Sequence, residues 1–227
     1  MNIDIFVGND EWNKHFSGWV IVDCAIRNRK RISILKRKVL SDDAIATIAD
    51  HEIETKAVQI QLDREINEKR VYRGGHLVDF NRPVLGVSLS PVAQDLIVAK
   101  NKKGSVFAAG SGRAEMEYVS PEGKVPGVQR IVCIDGYAYS VGTARNIYKR
   151  VAVGEWEQFN SEGLPPYRYD GTGGHHRGFN DMDGPDESLL YAVGGHGDVW
   201  RFDGSRWIQC DFPSNEQLGT VTVAPDG

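Results

Sequence analysis

The residues best suited to chemistry lie in the C-terminal third. His175 and His176 stand together in a glycine-rich stretch, His196 follows twenty residues on, and Asp181, Asp183, Asp186 and Glu187 form a carboxylate group between them. Histidines and carboxylates in this density raise the question of a metal. A zinc site needs ligands at a spacing that turns them to one point, as H-E-x-x-H does on a helix. Adjacent histidines project differently and no carboxylate stands at such a spacing, so no metal is expected. Gly173-Gly174 before the histidines permits close backbone approach, but without a following helix it is no phosphate cradle. Two of the carboxylates would serve glycoside hydrolysis only if they faced one cleft at a defined separation. Gly110-Ser111-Gly112 and Gly142-Thr143 are turns, and the chain has no G-x-S-x-G, P-loop or C-x-x-C. No catalytic residue, cofactor-binding residue or cofactor is assigned.

The elements that must position these residues are short and β-like. Leu189 to Val193, Val199 to Phe202 and Arg206 to Cys210 are aromatic and β-branched runs, separated by Gly194-Gly195-His196-Gly197 and Asp203-Gly204. Such runs suit a pleated, half-buried surface, and Asp-Gly supplies the positive φ of a tight hairpin. One meander cannot bury its own apolar face. The unit recurs: Tyr139-Ser140-Val141-Gly142, Ile147-Tyr148-Lys149-Arg150 and Gly154-Glu155-Trp156 match Tyr191-Ala192-Val193-Gly194, Val199-Trp200-Arg201-Phe202 and Gly204-Ser205-Arg206-Trp207. Val98 to Asn101 with Val106 to Ala109 gives a third copy, and Val71-Tyr72-Arg73 a fourth. The apolar–aromatic pair therefore falls at 71/72, 106/107, 147/148 and 199/200. A period near 40 with about four strands per unit predicts a β-propeller.

The expected fold is all-β: a propeller-type array of antiparallel four-stranded blades, incomplete as a ring, with one short inserted helix near 41–50. Ser41 caps that helix, Asp42 and Asp43 suit its N-terminal end, and Ile45, Ile48 and Ala49 share a face. A single domain spans 1–227, with irregular blades over 1–85, clearer ones at 86–125, 126–165 and 166–217, and the start of a further blade at 218–227. Residues 86–91, 129–134, 177–182 and 219–223 are taken as innermost strands. Val221 to Gly227 aligns with Ile131 to Gly136, a first strand running into its turn, so an open array is expected, completed by a second chain or belonging to a longer propeller.

Composition bounds the function. A net charge of −4 over 227 residues, with 41% hydrophobic and 26% charged, gives no general reason for nucleic-acid or membrane binding. The basic run Arg27 to Arg31 has no interleaved aromatic and is read as a hairpin tip. Glycine, at 25 residues, is in excess because turns are many. Cys24, Cys133 and Cys210, odd in number and within strand-like runs, are expected as buried small hydrophobes in a reducing compartment. The N-terminus carries no secretory pattern and no run reaches the ~18 apolar residues of a membrane span, so a cytoplasmic location is expected.

In a four-stranded blade the turns between first and second and between third and fourth strands share one face. The loops between second and third strands, and from each blade to the next, share the other. Asp-Gly at 135/136, 183/184 and 203/204 are assigned to the first face. Asn101 to Gly104, Thr143 to Asn146, Gly194 to Gly197 and the long connection at 161–176 go to the second. Loops on a rigid scaffold carry function, so a protein partner is expected there, met by Lys102, Lys103, Arg145, Tyr167, Arg168, Tyr169, His175, His176, Arg177 and His196.

The repeat FNDMDGPDESLLYAVGGHGDVWRFDGSRWIQCDFPSN resembles blades of bacterial propellers loosely grouped with WD40, YVTN and kelch-like repeats, without the WD dipeptide. It is also similar to bacterial propeller proteins encoded beside polymorphic toxins. That resemblance implies an immunity protein of a toxin–antitoxin pair, non-catalytic and neutralising a cognate toxin. The competing class is a propeller enzyme, a lyase or glycoside hydrolase with its site in the central funnel.

Overall fold

The computed structural model describes residues 7–49, 52–63, 70–77, 80, 82–120, 125–165 and 178–224. Helix α1 (Asn9–Phe16) precedes a first sheet of β1 (Trp19–Asn28), β2 (Arg31–Lys38), β3 (Thr55–Gln61) and β4 (Val71–His76), with α2 (Asp42–Ile45) between β2 and β3. The second sheet is β5 (Val84–Ser88), β6 (Gln94–Val98), β7 (Ser105–Gly110) and β8 (Arg113–Tyr118). The third is β9 (Val128–Ile134), β10 (Tyr137–Gly142), β11 (Ile147–Ala152) and β12 (Glu155–Gln158). The fourth is β13 (Phe179–Asp186), β14 (Leu189–Gly194), β15 (Val199–Phe202) and β16 (Trp207–Gln209). Each sheet is an antiparallel meander in sequence order. First strands stand side by side, β1 against β5, β5 against β9 and β9 against β13. This is a propeller-type array, and among the described residues its sheets do not close into a ring.

Register explains the packing, because directly opposed residues share a sheet face. Val98 opposes Val106, Val141 opposes Ile147 and Val193 opposes Val199. Phe107, Tyr148 and Trp200 therefore occupy one equivalent position on the third strands. The front of the second sheet (Leu96, Val98, Val106, Ala108) packs on Ala138, Tyr148 and Trp156 of the third. The front of the third (Tyr139, Val141, Ile147) packs on Leu190, Ala192, Trp200, Phe202 and Trp207 of the fourth. The tryptophans at 156, 200 and 207 are thus buried inter-sheet packing residues. Where the first strands crowd the axis there is no room for a side chain: a Cβ on Gly86 would lie 2.2 Å from Ile131 Cγ2.

Several local expectations are corrected. Val71-Tyr72 lies on β4, a fourth strand, so its spacing to 106/107 does not belong to the repeat; the third strand of that sheet is β3. Asp183-Gly184 is no turn but lies inside β13, where the register slips between Asp183 and Asp186, and the chain reverses between Asp186 and Leu189. The helix capped by Ser41 is one turn long, and Ile45 and Ile48 stay exposed. Helix α1 was not expected. It covers the β2–β4 part of the back of the first sheet, with Phe16 packed on Ile34, Val58, Ile60 and Val71. Buried Lys36 donates to the His15 carbonyl at the helix C-terminus, and Glu11 accepts from the N–H groups of Arg70 (3.1 Å) and Val71 (3.4 Å). None of the cysteines is buried: Cys24 is exposed, Cys133 and Cys210 half-exposed. Cys24 sits on β1, whose back face no sheet covers among the described residues, so alternation alone does not bury it.

Candidate functional site: the loop face and its inter-sheet ties

The loops between second and third strands are built from left-handed residues: Gly104, Ala144, Arg145, His196 and Gly197 all have positive φ. In the second sheet Asn101 shapes the turn. Its side chain accepts from the N–H of Lys103 (3.2 Å) and Ser105 (3.0 Å) and donates to Ser105 Oγ (2.9 Å). That turn leaves Lys102 and Lys103 exposed, with Lys103 Nζ 5.2 Å from the centre of the Tyr118 ring. His196 is exposed at the tip of the fourth-sheet loop.

Arg145 plays another part. Its Nε and Nη2 donate to the two oxygens of Asp198, both at 2.8 Å, and its guanidinium lies 4.9 Å from the centre of the Trp200 ring. Asp198 also accepts from Trp200 Nε1 at 2.8 Å. A bidentate pair of this kind, largely out of water, fixes geometry as well as charge. It joins the loop of the third sheet to that of the fourth. Tyr167, Arg168, Tyr169, His175, His176 and Arg177 lie outside the described residues. The stem of their connection is anchored on the fourth sheet. Trp207 donates its N–H to Glu162 O (2.7 Å) and its Nε1 to Asn160 O (2.9 Å), and Asn160 Nδ2 reaches Ser205 O (2.8 Å).

Two further ties were not foreseen. Arg150, wholly buried, binds Glu117 through Nε (2.9 Å) and Nη2, and Gln94 Oε1 at 2.7 Å; Trp156 Nε1 completes the cluster on Glu117 at 3.0 Å. The signal was present in the repeat: Arg150 stands where the fourth sheet has Phe202, and a guanidinium in an apolar position demands a buried acid. On the opposite face Glu187 accepts from Tyr139 and Lys149. Burial would raise the Glu187 carboxyl, but these two donors hold it below its usual value; burial and the Glu187 contact both push the Tyr139 hydroxyl up.

Between the first strands lies a cavity of about 440 Å³, lined by Asp23, Cys24, Gly86, Gln129, Arg130 and Asn180 among others. Among the described residues no group of three or more His, Cys, Asp or Glu side chains is placed to hold a metal ion. No described helix is long and apolar enough to cross a membrane.

No family model matches the sequence. The chain is 32% identical over 142 residues to Immune protein Tsi7 of Pseudomonas aeruginosa, a match covering 60% of this chain and 44% of that protein. It thus spans less than half the length of this curated relative. A solved structure of YCF48 bound to D1 peptide aligns over 86% of this chain and 85% of that one, with a TM-score of 0.38 and 10% identity.

Proposed function

We propose that this chain is an immunity protein: it binds a cognate toxin in the cytoplasm and neutralises it without catalysing a reaction. The observation that carries this reading is its 32% identity over 142 residues to Immune protein Tsi7. The architecture suits a binder, since the loops of the third and fourth sheets are held together by the Arg145–Asp198 ion pair on a rigid scaffold. Lys102, Lys103 and His196 are the described members of the partner face, joined by Tyr167, Arg168, Tyr169, His175, His176 and Arg177. Arg145 contributes by holding two loops together rather than by offering its charge.

The test is titration of the toxin encoded beside its gene. One equivalent of the chain should abolish toxin activity, with proportionate residual activity below that ratio. Turnover at substoichiometric amounts would point instead to an enzyme in the axial cavity, and unaltered toxicity at excess chain would end the immunity reading.

A further inference from the structure

The basic run Arg27 to Arg31 closes the turn between β1 and β2, with Arg29 and Lys30 at its corner between the paired residues Asn28 and Arg31. The Lys30 N–H donates to Asn28 Oδ1 at 2.8 Å, which fixes the turn. The run does not end in open solvent. A bulge between Ile26 and Asn28 gives β1 one extra residue, Arg27, and a bulge of this kind re-aims a side chain at the end of a ladder. Asp23 and Ala25 on the same strand face the second sheet, Asp23 accepting from the Leu85 N–H (2.7 Å) and Ala25 packing beside Leu85 and Ile97. Arg27 follows them. Its guanidinium enters between the two sheets above Gly110, where a Cβ would lie 2.1 Å from Arg27 Nη1, so only glycine leaves it room.

The result is an open wedge of about 400 Å³, bounded by residues 27–31 on one side and by Ala93 and Ser111 on the other. The far wall is fixed by Ser111, whose hydroxyl donates to Ala93 O at 2.8 Å. Arg27 forms the floor, its side chain only 10% exposed. A guanidinium has donors on every nitrogen, yet Arg27 engages Nη1 alone among the described residues, with Ala109 O at 3.3 Å and Asp95 Oδ2 at 3.5 Å. Its Nε and Nη2 keep their capacity. Arg31 is taken up by both oxygens of Asp63 and by the Lys30 carbonyl. Arg29 and Lys30 are exposed, and no carboxylate pairs with either among the described residues. Arg27, Arg29, Lys30 and Arg31 thus meet only Asp63 and Asp95 there, which leaves two positive charges uncompensated.

We propose that this wedge binds a compact phosphorylated small molecule, its phosphate held by the free nitrogens of Arg27 and by Arg29 and Lys30. Charge decides the class. A phosphomonoester carries about −1.5 to −2 near pH 7, which matches the excess, and the planar fork of a guanidinium takes its oxygens in pairs. A single carboxylate would balance only part of that charge. A long polyanion is a poor occupant. Nucleic-acid binding draws on many phosphate contacts and on aromatic faces for the bases. Here the cations converge on one turn, no aromatic residue lines the wedge, and the chain carries a net charge of −4. The turns after β1, β5 and β7 that form the site lie on the side of the array away from Lys102 and Lys103, so it does not depend on the immunity reading.

Calorimetric titration of the purified chain with ribose 5-phosphate at low ionic strength is the test, with gluconate as a carboxylate of similar size. One saturable site for the phosphate is expected, and binding of gluconate at least tenfold weaker. The Arg29→Ala, Lys30→Ala double variant should weaken phosphate binding at least tenfold with unchanged melting, because both side chains are exposed. The Lys102→Glu, Lys103→Glu variant, altered on the other side, should bind as the wild type does. Arg27→Lys keeps the charge and loses the fork, and should weaken binding likewise; if it melts early, the turn variant decides alone. Absence of saturable binding, equal affinity for gluconate, or undiminished affinity in the turn variant overturns the proposal. Tighter binding of a single-stranded oligonucleotide or a glutamate-rich peptide, lost in the same turn variant, would assign the wedge to a macromolecule and overturn it as well.

Discussion

Trp200 is buried to 4% exposure with its Nε1–H on Asp198, so it is at once packing and an inter-sheet tie. Trp200→Ala should cost about 3–5 kcal/mol, the usual range for deleting a buried aromatic; an unchanged denaturant midpoint would refute the register. Arg150 gives a second prediction. Removing one member of a buried ion pair strands its partner, so Arg150→Met should destabilise by about 3–5 kcal/mol. Replacing Glu117 with Leu in the same chain should recover much of that, because no charge is then left unpaired. Equilibrium unfolding of the single and double variants decides it. Asp203 acts through pH. Backbone N–H groups of Arg206 and Ser205 and the Ser205 hydroxyl hold its carboxyl at about 2, below the ordinary 3.8. A depressed folded-state value means stability present above pH ~3.8 and lost as the pH falls towards 2. Asp203→Asn should flatten stability over that interval and leave the neutral range little changed, which acid titration of the melting temperature will show.

At the scale of elements, α1 packs on part of the back of the first sheet. Its Phe16 covers Ile34, Val58, Ile60 and Val71, while Lys36 and Glu11 fix its two ends and Ile21, Cys24 and Ile26 of β1 stay exposed. Removing residues 1–17 should expose Ile34, Val58, Ile60 and Val71 and raise binding of an apolar dye, with the later sheets still folded. Stacked repeat units that meet only their neighbours melt locally in this way. A dye signal equal to that of the intact chain would show that the helix is dispensable.

Across the molecule both faces carry exposed charges of both signs: Asp135, Asp186 and Asp203 stand with Arg29 and Lys30 on the turns of one side, and Lys102 and Lys103 with Asp42 and Asp43 on the loops of the other. Electrostatic steering by exposed cations weakens as salt rises. The Lys102→Glu, Lys103→Glu double variant should therefore slow association with the toxin and reduce its salt dependence, with dissociation little affected. Stopped-flow association rates at two ionic strengths are the measurement; equal rates for variant and wild type would remove these lysines from the partner face.

The linear sequence determined what depends on local rules. Alternating β-branched and aromatic runs, broken by Asp-Gly and Gly-Gly, specify antiparallel meanders, and the match of 139–156 to 191–207 specifies that the third and fourth sheets are copies. Innermost strands read at 86–91, 129–134 and 177–182 correspond to β5, β9 and β13, whereas 219–223 forms no strand among the described residues. What the sequence did not yield depends on which surfaces meet. Val71-Tyr72 has the composition of a repeat pair but sits on a fourth strand, since strand order is set by pairing and not by residue type. Arg145 looked like a free loop cation until the fold brought Asp198, 53 residues on, to its guanidinium. Arg150, Glu117 and Gln94 are harmless polar residues in one dimension and one buried cluster in three. Such ties could be seen only when the neighbouring sheets were in place, because an interface is a property of two surfaces and the sequence records one at a time.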